Sequence, residues 1–238
     1  STPVGSATLI GRMLARAADG HFWVVAGDVN DANFRLERYG SSGVFQSSVP
    51  LDQANVNGPA GIAFDPSGNA WVSMGISSGS AGGLGVWKVS ASAVILASAT
   101  YFPVSGAAVV PGQITVDAAG NAWVAIGELS ASGALLRLFK FGPGAALVSG
   151  FPVVYQRGGG VDLAIGAAAD ASGGVWVVGA SSNPANSALD LALWKFNGSG
   201  ALQSTSFWPN TFNSLNSASG ALTLDSSGRP IVVTQQSF

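Results

Sequence analysis

Short apolar runs separated by polar turns occur along the whole chain, and the clearest unit is residues 61–75, GIAFDPSGNAWVSMG. Ile62 and Phe64 are large where Ala63 between them is small. Because side chains two apart share one face of a strand, this run predicts a β-strand with one bulky face. Trp71 belongs to a second run without a polar face, which is typical of a strand covered on both sides. Together the two runs predict a β-hairpin.

The turn of this hairpin recurs along the chain. Asp65 is suited to accept hydrogen bonds from the backbone ahead of it, and Gly68 tolerates a positive φ. Equivalent turns follow at intervals of about fifty residues, with glycine at Gly20, Gly120, Gly173 and Gly228. Calcium loops need several oxygen ligands in one short segment, whereas each turn here offers one carboxylate. We therefore predict that the repeated aspartates cap the turns: Asp65, Asp117, Asp170 and Asp225.

A third apolar run with a central cation follows each of the first four hairpins, and a fourth run follows after another turn. The cations are Arg38, Lys88, Lys140 and Lys195. Four strands in about fifty residues is the period of a β-propeller blade. We predict that each cation lies against its own blade, over an aromatic ring such as Trp71 or Trp123. The matched tryptophans are predicted to form core between blades: Trp23, Trp71, Trp123 and Trp176.

The sequence therefore predicts an all-β fold, a single β-propeller domain over residues 1–238 with about five four-stranded blades. The predicted units are residues 12–51, 61–104, 113–155, 164–208 and 221–238. The last blade is incomplete at the C-terminus, and residues 1–10 are predicted to close the ring as its outer strand. One strand of that blade is then unassigned. Either the blade has three strands, or the chain is a fragment, or another molecule supplies the strand.

The repeated motif is apolar-Asp-x-x-Gly-Asn-apolar-Trp-Val-x-x-Gly, followed by apolar-Lys-Phe-x-x-x-Gly. It resembles bacterial propeller-repeat families: the simple beta-propeller repeat (SBBP), the delta-sixty repeat and, more loosely, the NHL repeat. The first unit departs most, with Ala17 in place of the aspartate and Glu37 in place of an aromatic residue. The resemblance implies a propeller fold and a secreted or surface protein. It implies no activity, because the shared residues are turn and core residues.

Composition narrows the classes of partner. Only 9% of residues are charged and the net charge is −2, so electrostatics does not favour nucleic acid or anionic lipid. No apolar run approaches the ~20 residues of a membrane-spanning helix. With no cysteine, disulfides and thiolate metal sites are excluded, and no metal or cofactor is predicted. A surface poor in lysine and rich in Ser, Asn and Gly favours an extracellular or cell-surface bacterial protein.

The loops after the second and fourth strands of each blade emerge at one end of a propeller, here termed the loop end. Loops on a rigid scaffold commonly carry binding residues. The predicted ligand-binding set at this end is Asp28, Asp31, Glu128, Arg157, Asp190 and Trp208, the last placed to stack on a sugar. Alternatively, the carboxylates are solvated charges that aid solubility. His21 is the only histidine, in a hairpin turn without the partners that general-base catalysis needs, so no catalytic residue is predicted.

Two classes of function follow. A rigid repeat scaffold without a catalytic constellation predicts a non-enzymatic extracellular module for binding or self-assembly, with a second copy pairing through the incomplete last blade. The alternative is a carbohydrate-binding lectin, or a glycan-processing hydrolase or lyase that uses loop-end carboxylates such as Asp28, Asp31 and Glu128. Such an enzyme needs two carboxylates about 5–10 Å apart across a cleft.

Overall fold

The computed structural model of the protein describes residues 9–28, 34–51, 56–78, 81–103, 107–130, 133–158, 160–186, 188–212 and 220–234. The first sheet contains β1 (Leu9–Arg16), β2 (Phe22–Asp28), β3 (Phe34–Tyr39) and β4 (Phe45–Pro50). The second contains β5 (Val56–Phe64), β6 (Ala70–Ser78), β7 (Ala81–Val89) and β8 (Ile95–Tyr101). The third contains β9 (Ala108–Val116), β10 (Ala122–Ser130), β11 (Gly133–Phe141) and β12 (Val153–Tyr155). The fourth contains β13 (Asp162–Ala169), β14 (Val175–Ser182), β15 (Leu189–Phe196) and β16 (Leu202–Phe212), and the fifth β17 (Gly220–Leu224) and β18 (Pro230–Thr234).

The sheets have the arrangement of propeller blades. In each of the first four, the strands lie side by side in chain order and pair antiparallel. The first strands of successive sheets contact one another, β1 with β5, β5 with β9, β9 with β13, and β13 with β17. Sequential four-stranded antiparallel sheets packed in this way form a β-propeller, as the sequence predicts. Across the described residues, no contact of similar extent joins the fifth sheet to the first.

The structure differs from the prediction at two residues of the N-terminal segment and at several predicted unit boundaries. β1 begins at Leu9 rather than at Arg12, and Leu9 and Ile10 pair with β2 instead of forming an outer strand on the fifth sheet. Residues 1–8 lie outside the described residues. β13 begins at Asp162 rather than at residue 164, and β16 continues to Phe212 rather than ending at residue 208.

The first strands of the second and third sheets are also longer than predicted. They begin at Val56 and Ala108, whereas the sequence pattern places their starts at residues 61 and 113. The pairing register of each strand shifts beside a proline, Pro59 in β5 and Pro111 in β9. A bulge lets a strand continue past a residue that cannot donate to the hydrogen-bond ladder. The prolines therefore interrupt the sequence pattern without ending the strands.

The repeated aspartates cap the hairpin turns. Asp65 Oδ1 accepts the backbone N–H groups of Ser67 at 3.0 Å and Asn69 at 2.9 Å, and Gly68 has a φ of 79°. The same bonds form in three other turns, at Asp117, Asp170 and Asp225. The predicted capping role is confirmed.

The lysine of the third strand joins three parts of the structure, and we call this arrangement the lysine latch. Lys88 Nζ lies 5.2 Å from the centre of the Trp71 ring and 2.8 Å from Asp65 Oδ2. It also donates to the carbonyl of Pro143, in the turn after β11 of the next sheet, at 2.8 Å. Lys140 Nζ likewise donates to Gly198 O at 2.9 Å.

The predicted position of the cations over their own tryptophans is confirmed in all four complete sheets. The cation lies 4.5 to 5.8 Å from the ring centre in the pairs Arg38–Trp23, Lys88–Trp71, Lys140–Trp123 and Lys195–Trp176. The hydrogen bonds to the next sheet were not predicted, because they join residues more than fifty positions apart.

Hydrophobic clusters fill the spaces between successive sheets. Trp23, Trp71 and Trp123 are buried, each against the sheet that follows its own. Trp176 departs from the prediction because it is only partly buried. It faces the fifth sheet, whose described part has two strands instead of four, so less surface covers it.

The burial of the tryptophans between sheets predicts that their removal destabilises the fold. Trp123→Ala should lower the free energy of unfolding by about 3–5 kcal/mol, because it leaves a cavity between the third and fourth sheets. Urea denaturation followed by circular dichroism measures this loss. Trp208→Ala is the matched control, since Trp208 is 46% exposed, and should cost about 1 kcal/mol or less. A loss below about 1 kcal/mol for Trp123→Ala would contradict the inter-sheet placement.

The lysine latch predicts a stabilisation of the fold that depends on pH. Lys88→Met should cost about 3–5 kcal/mol at pH 7, because it leaves the buried Asp65 carboxylate without its cation. Burial opposes ionisation of Asp65, but hydrogen bonds from Lys88 and Asn69 outweigh it and hold its pKa below the usual 3.8. Such a group stabilises the fold above its unfolded pKa, and this stabilisation is lost as the pH falls through the folded pKa.

The difference between wild type and Lys88→Met should therefore shrink as the pH falls below 3.8. Unfolding free energies measured at pH 7 and at acidic pH test this. Arg229→Met is the control, because it removes an ion pair whose arginine is 78% exposed, and it should have a far smaller effect. An equal effect of the two substitutions at pH 7 would show that the latch does not stabilise the fold.

Candidate functional site

The structure brings three of the predicted site residues to one end of the third and fourth sheets. Glu128 lies near the end of β10, Arg157 follows β12, and Asp190 lies at the start of β15. Asp28 is the last residue of β2 in the first sheet, and Asp31 lies outside the described residues. The third and fourth sheets meet at this end, where Ala134 and Val161 form a parallel bridge.

Glu128 is buried in a polar cluster between the second and third sheets. Arg137 on β11 pairs with it, and the Arg137 Nη2 group donates to Oε1 at 3.2 Å. The hydroxyl of Tyr101, from the second sheet, donates to Oε2 at 3.1 Å. The hydrogen bond to Glu128 raises the pKa of Arg137, and burial raises the pKa of Tyr101. Arginine and tyrosine thus occupy both oxygens of this carboxylate.

Arg157 joins the third sheet to the fourth through three contacts. Its Nη1 lies 2.8 Å from Asp190 Oδ2, and Asp190 is 1% exposed. Its guanidinium carbon lies 3.7 Å from the centre of the Phe207 ring, a cation–π contact. Its backbone N–H donates to Asp162 Oδ2 at 2.6 Å. Arg157 is therefore the centre of a cluster with two carboxyl groups of the fourth sheet.

Asp162 is the carboxyl group that the sequence prediction missed. It is fully buried as the first residue of β13, and its Oδ1 has no hydrogen-bond partner among the described residues. Burial raises its pKa, against the lowering effects of the Arg157 backbone N–H and of the neighbouring Ser181 hydroxyl. Burial in this way shifts the ionisation of a carboxyl towards its protonated form, the form that is able to donate a proton. The available sequence signal was one acidic residue in an otherwise apolar strand start, VDLAIG.

The Glu128 and Asp162 positions lie on strands that touch. A Cβ atom added to Gly127 would overlap the side chain of Leu163. Gly127 precedes Glu128 and Leu163 follows Asp162, so the two carboxyl-bearing positions flank this contact. The Glu128 side chain nevertheless lies on the other side of the third sheet, against Tyr101 of the second sheet. We call Arg157, Asp162 and Asp190 the loop-end cluster.

The described part of the chain was also searched for a histidine site, a metal site and a membrane-spanning helix. His21 lies 3.0 Å from Asp19 in the first hairpin turn, away from the loop end. No three His, Asp or Glu side chains of the described residues are grouped so that they hold a metal ion. A search of the same residues for a helix long and apolar enough to cross a membrane finds none.

Trp208 lies outside the loop-end cluster, on the other face of β16. It lines an open groove of about 520 Å³ between the fourth and fifth sheets, which we call the sheet-five groove. The groove lining is mostly apolar, with serine hydroxyls on one side, and includes Trp176, Leu193, Ser206, Trp208, Pro230 and Val232. The predicted site residues whose side chains the structure describes therefore do not form a single site; they are Glu128, Arg157, Asp190 and Trp208.

Comparisons with known proteins support the fold. No family model matches the chain, and no curated protein matches it. A PL25 ulvan lyase, a polysaccharide lyase solved with a GlcA–Rha3S ligand, is 10% identical over 88% of this chain and 56% of its own, with a TM-score of 0.55. An endo-arabinase from Bacteroides thetaiotaomicron VPI-5482 is 13% identical over 96% of this chain and 92% of its own, with a TM-score of 0.53.

At these identities the likeness shows the fold alone, and it confirms the β-propeller prediction. The chain spans 56% of the length of the ulvan lyase that it matches.

Because the pKa of Asp162 is raised, we expect its contribution to stability to change with pH in the opposite direction to that of Asp65. A carboxyl whose folded pKa exceeds its unfolded value destabilises the fold as the pH rises from the unfolded towards the folded pKa. Asp162→Asn removes this loss, so its stability relative to wild type should increase as the pH rises from 3.8. Unfolding free energies between acidic and neutral pH measure the trend.

Asp225→Asn is the control for this trend. Hydrogen bonds from the Arg229 backbone and side chain lower the pKa of Asp225, so its substitution should change relative stability in the opposite direction with pH. Parallel pH trends for the two variants would contradict the burial of Asp162 as an ionisable group.

Proposed function

We propose that this propeller binds and cleaves an extracellular polysaccharide, with the loop-end cluster as its polar centre. The observation that supports this most directly is Asp162, a buried carboxyl with a raised pKa beside the Arg157–Asp190 pair. The shared fold with a polysaccharide lyase and an endo-arabinase is consistent with a glycan substrate. A chain in which only 9% of residues are charged also fits a neutral or weakly charged ligand better than nucleic acid.

The chemistry of glycan cleavage assigns roles to the cluster. Hydrolysis needs one carboxylic acid to protonate the leaving oxygen and a second carboxylate to activate water or to attack the sugar. In this proposal Asp162 is the acid, because burial raises its pKa. Asp190 is the second carboxylate, positioned by Arg157 at 2.8 Å.

Access to Asp162 requires movement of the turn that follows β12. Arg157 N–H covers one oxygen of Asp162, and the Gly160 N–H bonds back to Arg157 O at 3.4 Å. Opening of the turn also has to break the contacts of Arg157 with Asp190 and Phe207 and the bond from Val161 N–H to Ser182 Oγ. Loop opening of this kind gates many active sites. In this proposal a polysaccharide strand displaces the turn and exposes the acid.

A non-enzymatic binding module is the second candidate. Arg137 and Tyr101 already bind the Glu128 carboxylate, and Arg157 already pairs with Asp190. Carboxylates held in this way serve equally as clamps between blades that support a binding surface. The two candidates differ in whether Asp162 matters for turnover or only for stability.

The test uses the purified chain with a sulfated uronate polysaccharide, an arabinan and a galactan. Formation of reducing ends reports hydrolysis, and ultraviolet absorbance of an unsaturated uronate reports elimination. We expect cleavage of one polymer, and loss of about 10²–10⁴-fold in rate for Asp162→Asn, the range for removal of a general acid. Asp225→Asn should retain the wild-type rate, because Asp225 caps the hairpin turn of the fifth sheet, at the end of the propeller opposite the loop end.

The remaining outcomes separate the candidates. Retention of the chain on immobilised polysaccharide without cleavage, unchanged in Asp162→Asn, would support the binding module and end the enzymatic proposal. Absence of both binding and cleavage on all three polymers would overturn the assignment of the loop-end cluster as a glycan site.

A further inference from the structure

One edge of the Arg157 guanidinium group is open to solvent. Its Nη1 is held by Asp190 at 2.8 Å, and one of its faces lies over the Phe207 ring, 3.7 Å from the ring centre. Among the described residues, Nε and Nη2 of Arg157 donate to no acceptor, and neither belongs to the buried side-chain nitrogens that lack a partner. Both nitrogens therefore reach solvent. We call this pair of donors the Arg157 edge.

Arg137 shows what such an edge binds in this fold. In the cluster between the second and third sheets, Arg137 Nε pairs with Glu128 Oε2, and its Nη2 donates to Oε1 at 3.2 Å. The same two nitrogens thus hold both oxygens of one carboxylate. This planar pair of donors matches two oxygens of a carboxylate or of a tetrahedral oxyanion, and its charge-assisted bonds are stronger than neutral ones. The Arg157 edge offers the same two donors to a ligand.

The burial of the neighbouring carboxyl groups leaves a positive group at the surface. Asp162 is fully buried and Asp190 is 1% exposed, whereas 22% of the Arg157 side chain is exposed. A ligand at this point therefore meets the cation before it meets either carboxyl group. Asp190 and Phe207 also hold the guanidinium in one orientation, so little conformational freedom is lost when the ligand binds.

We propose that the Arg157 edge binds an acidic group of the polysaccharide, either a uronate carboxylate or a sulfate ester, and selects acidic polymers as the substrate class. Nε and Nη2 donate to two oxygens of that group. One guanidinium edge takes one acidic group, so the ligand carries isolated acidic groups rather than a dense negative charge. This inference rests on the proposed glycan site and names the class of polymer that it accepts.

Arg157 also links the acidic group to the proposed acid. Its backbone N–H bonds to Asp162 Oδ2 at 2.6 Å, so one residue contacts both the ligand and the proposed acid. Exposure of Asp162 requires Arg157 to leave Asp190 and Phe207. An acidic group on Nε and Nη2 stays with the guanidinium during this movement and replaces the lost carboxylate partner, whereas a neutral polymer offers no such replacement.

The experiment compares three forms of the sulfated uronate polysaccharide: intact, carboxyl-reduced and desulfated. Affinities are measured by isothermal titration calorimetry with Asp162→Asn, which keeps the polymer intact and retains an oxygen that accepts the Arg157 N–H. We expect removal of the recognised group to weaken binding about tenfold or more, the range for hydrogen bonds to a charged group. Loss on carboxyl reduction identifies a uronate, and loss on desulfation identifies a sulfate ester.

The discriminating substitution is Arg157→Lys, made in the same protein. Lysine keeps the positive charge but lacks the planar pair of donors. We expect it to bind the intact polymer about tenfold or more weakly, with no change for the form that lacks the recognised group. Arg229→Lys is the matched control, since Arg229 is 78% exposed in the hairpin turn of the fifth sheet, and its affinity should be unchanged.

A second variant guards against loss of the fold in Arg157→Lys, which thermal unfolding detects. Arg157→Gln combined with Asp190→Asn removes both members of the ion pair, so that no buried carboxylate is left unpaired. It should show the same loss of affinity for the intact polymer.

Three results would overturn the proposal, each at a different step. Equal affinity for the intact, carboxyl-reduced and desulfated forms would exclude the acidic substrate class and leave the glycan site standing. A folded Arg157 variant that keeps the preference for the acidic form would exclude Arg157 as the residue that selects it. Absence of binding and cleavage on these forms and on arabinan and galactan would overturn the proposed function, and this inference with it.

Discussion

The rest of this propeller depends on one constraint, which is that a buried lysine needs hydrogen-bond partners from two sheets. Lys88 lies over Trp71, pairs with the turn aspartate Asp65 and donates to Pro143 of the next sheet. A buried charge is costly unless it is paired and hydrogen-bonded, so the next sheet has to present its turn at this point. Burial of the tryptophans supplies the non-directional stabilisation, and the latch supplies the register between sheets.

The end of the propeller that carries the Asp-Gly turns is here termed the turn end. It differs from the loop end because the lysine latch lies there. At the turn end, carboxylates and cations form local pairs that repeat from sheet to sheet. At the loop end the polar contacts are individual. Glu128 and Asp190 are held by arginines, whereas Asp162 is buried with one oxygen unbonded among the described residues and has a raised pKa. Irregular polar chemistry on a regular scaffold is where function is usually found on repeat folds, and it places our proposed glycan site there.

The sequence by itself determined the features that depend on neighbours a few residues apart: the capped Asp-Gly turns, the strand-forming runs, the blade period and the cation over each tryptophan. These follow from local hydrogen bonds and from pairing between consecutive strands. Only the tertiary structure decided which charges are buried and what satisfies them. Asp162 in its apolar run, Tyr101 beside Glu128 and Lys88 reaching Pro143 depend on contacts between sheets. Burial and pKa are set by everything packed around a group, and a linear pattern does not contain the neighbours that the fold brings from some fifty residues away.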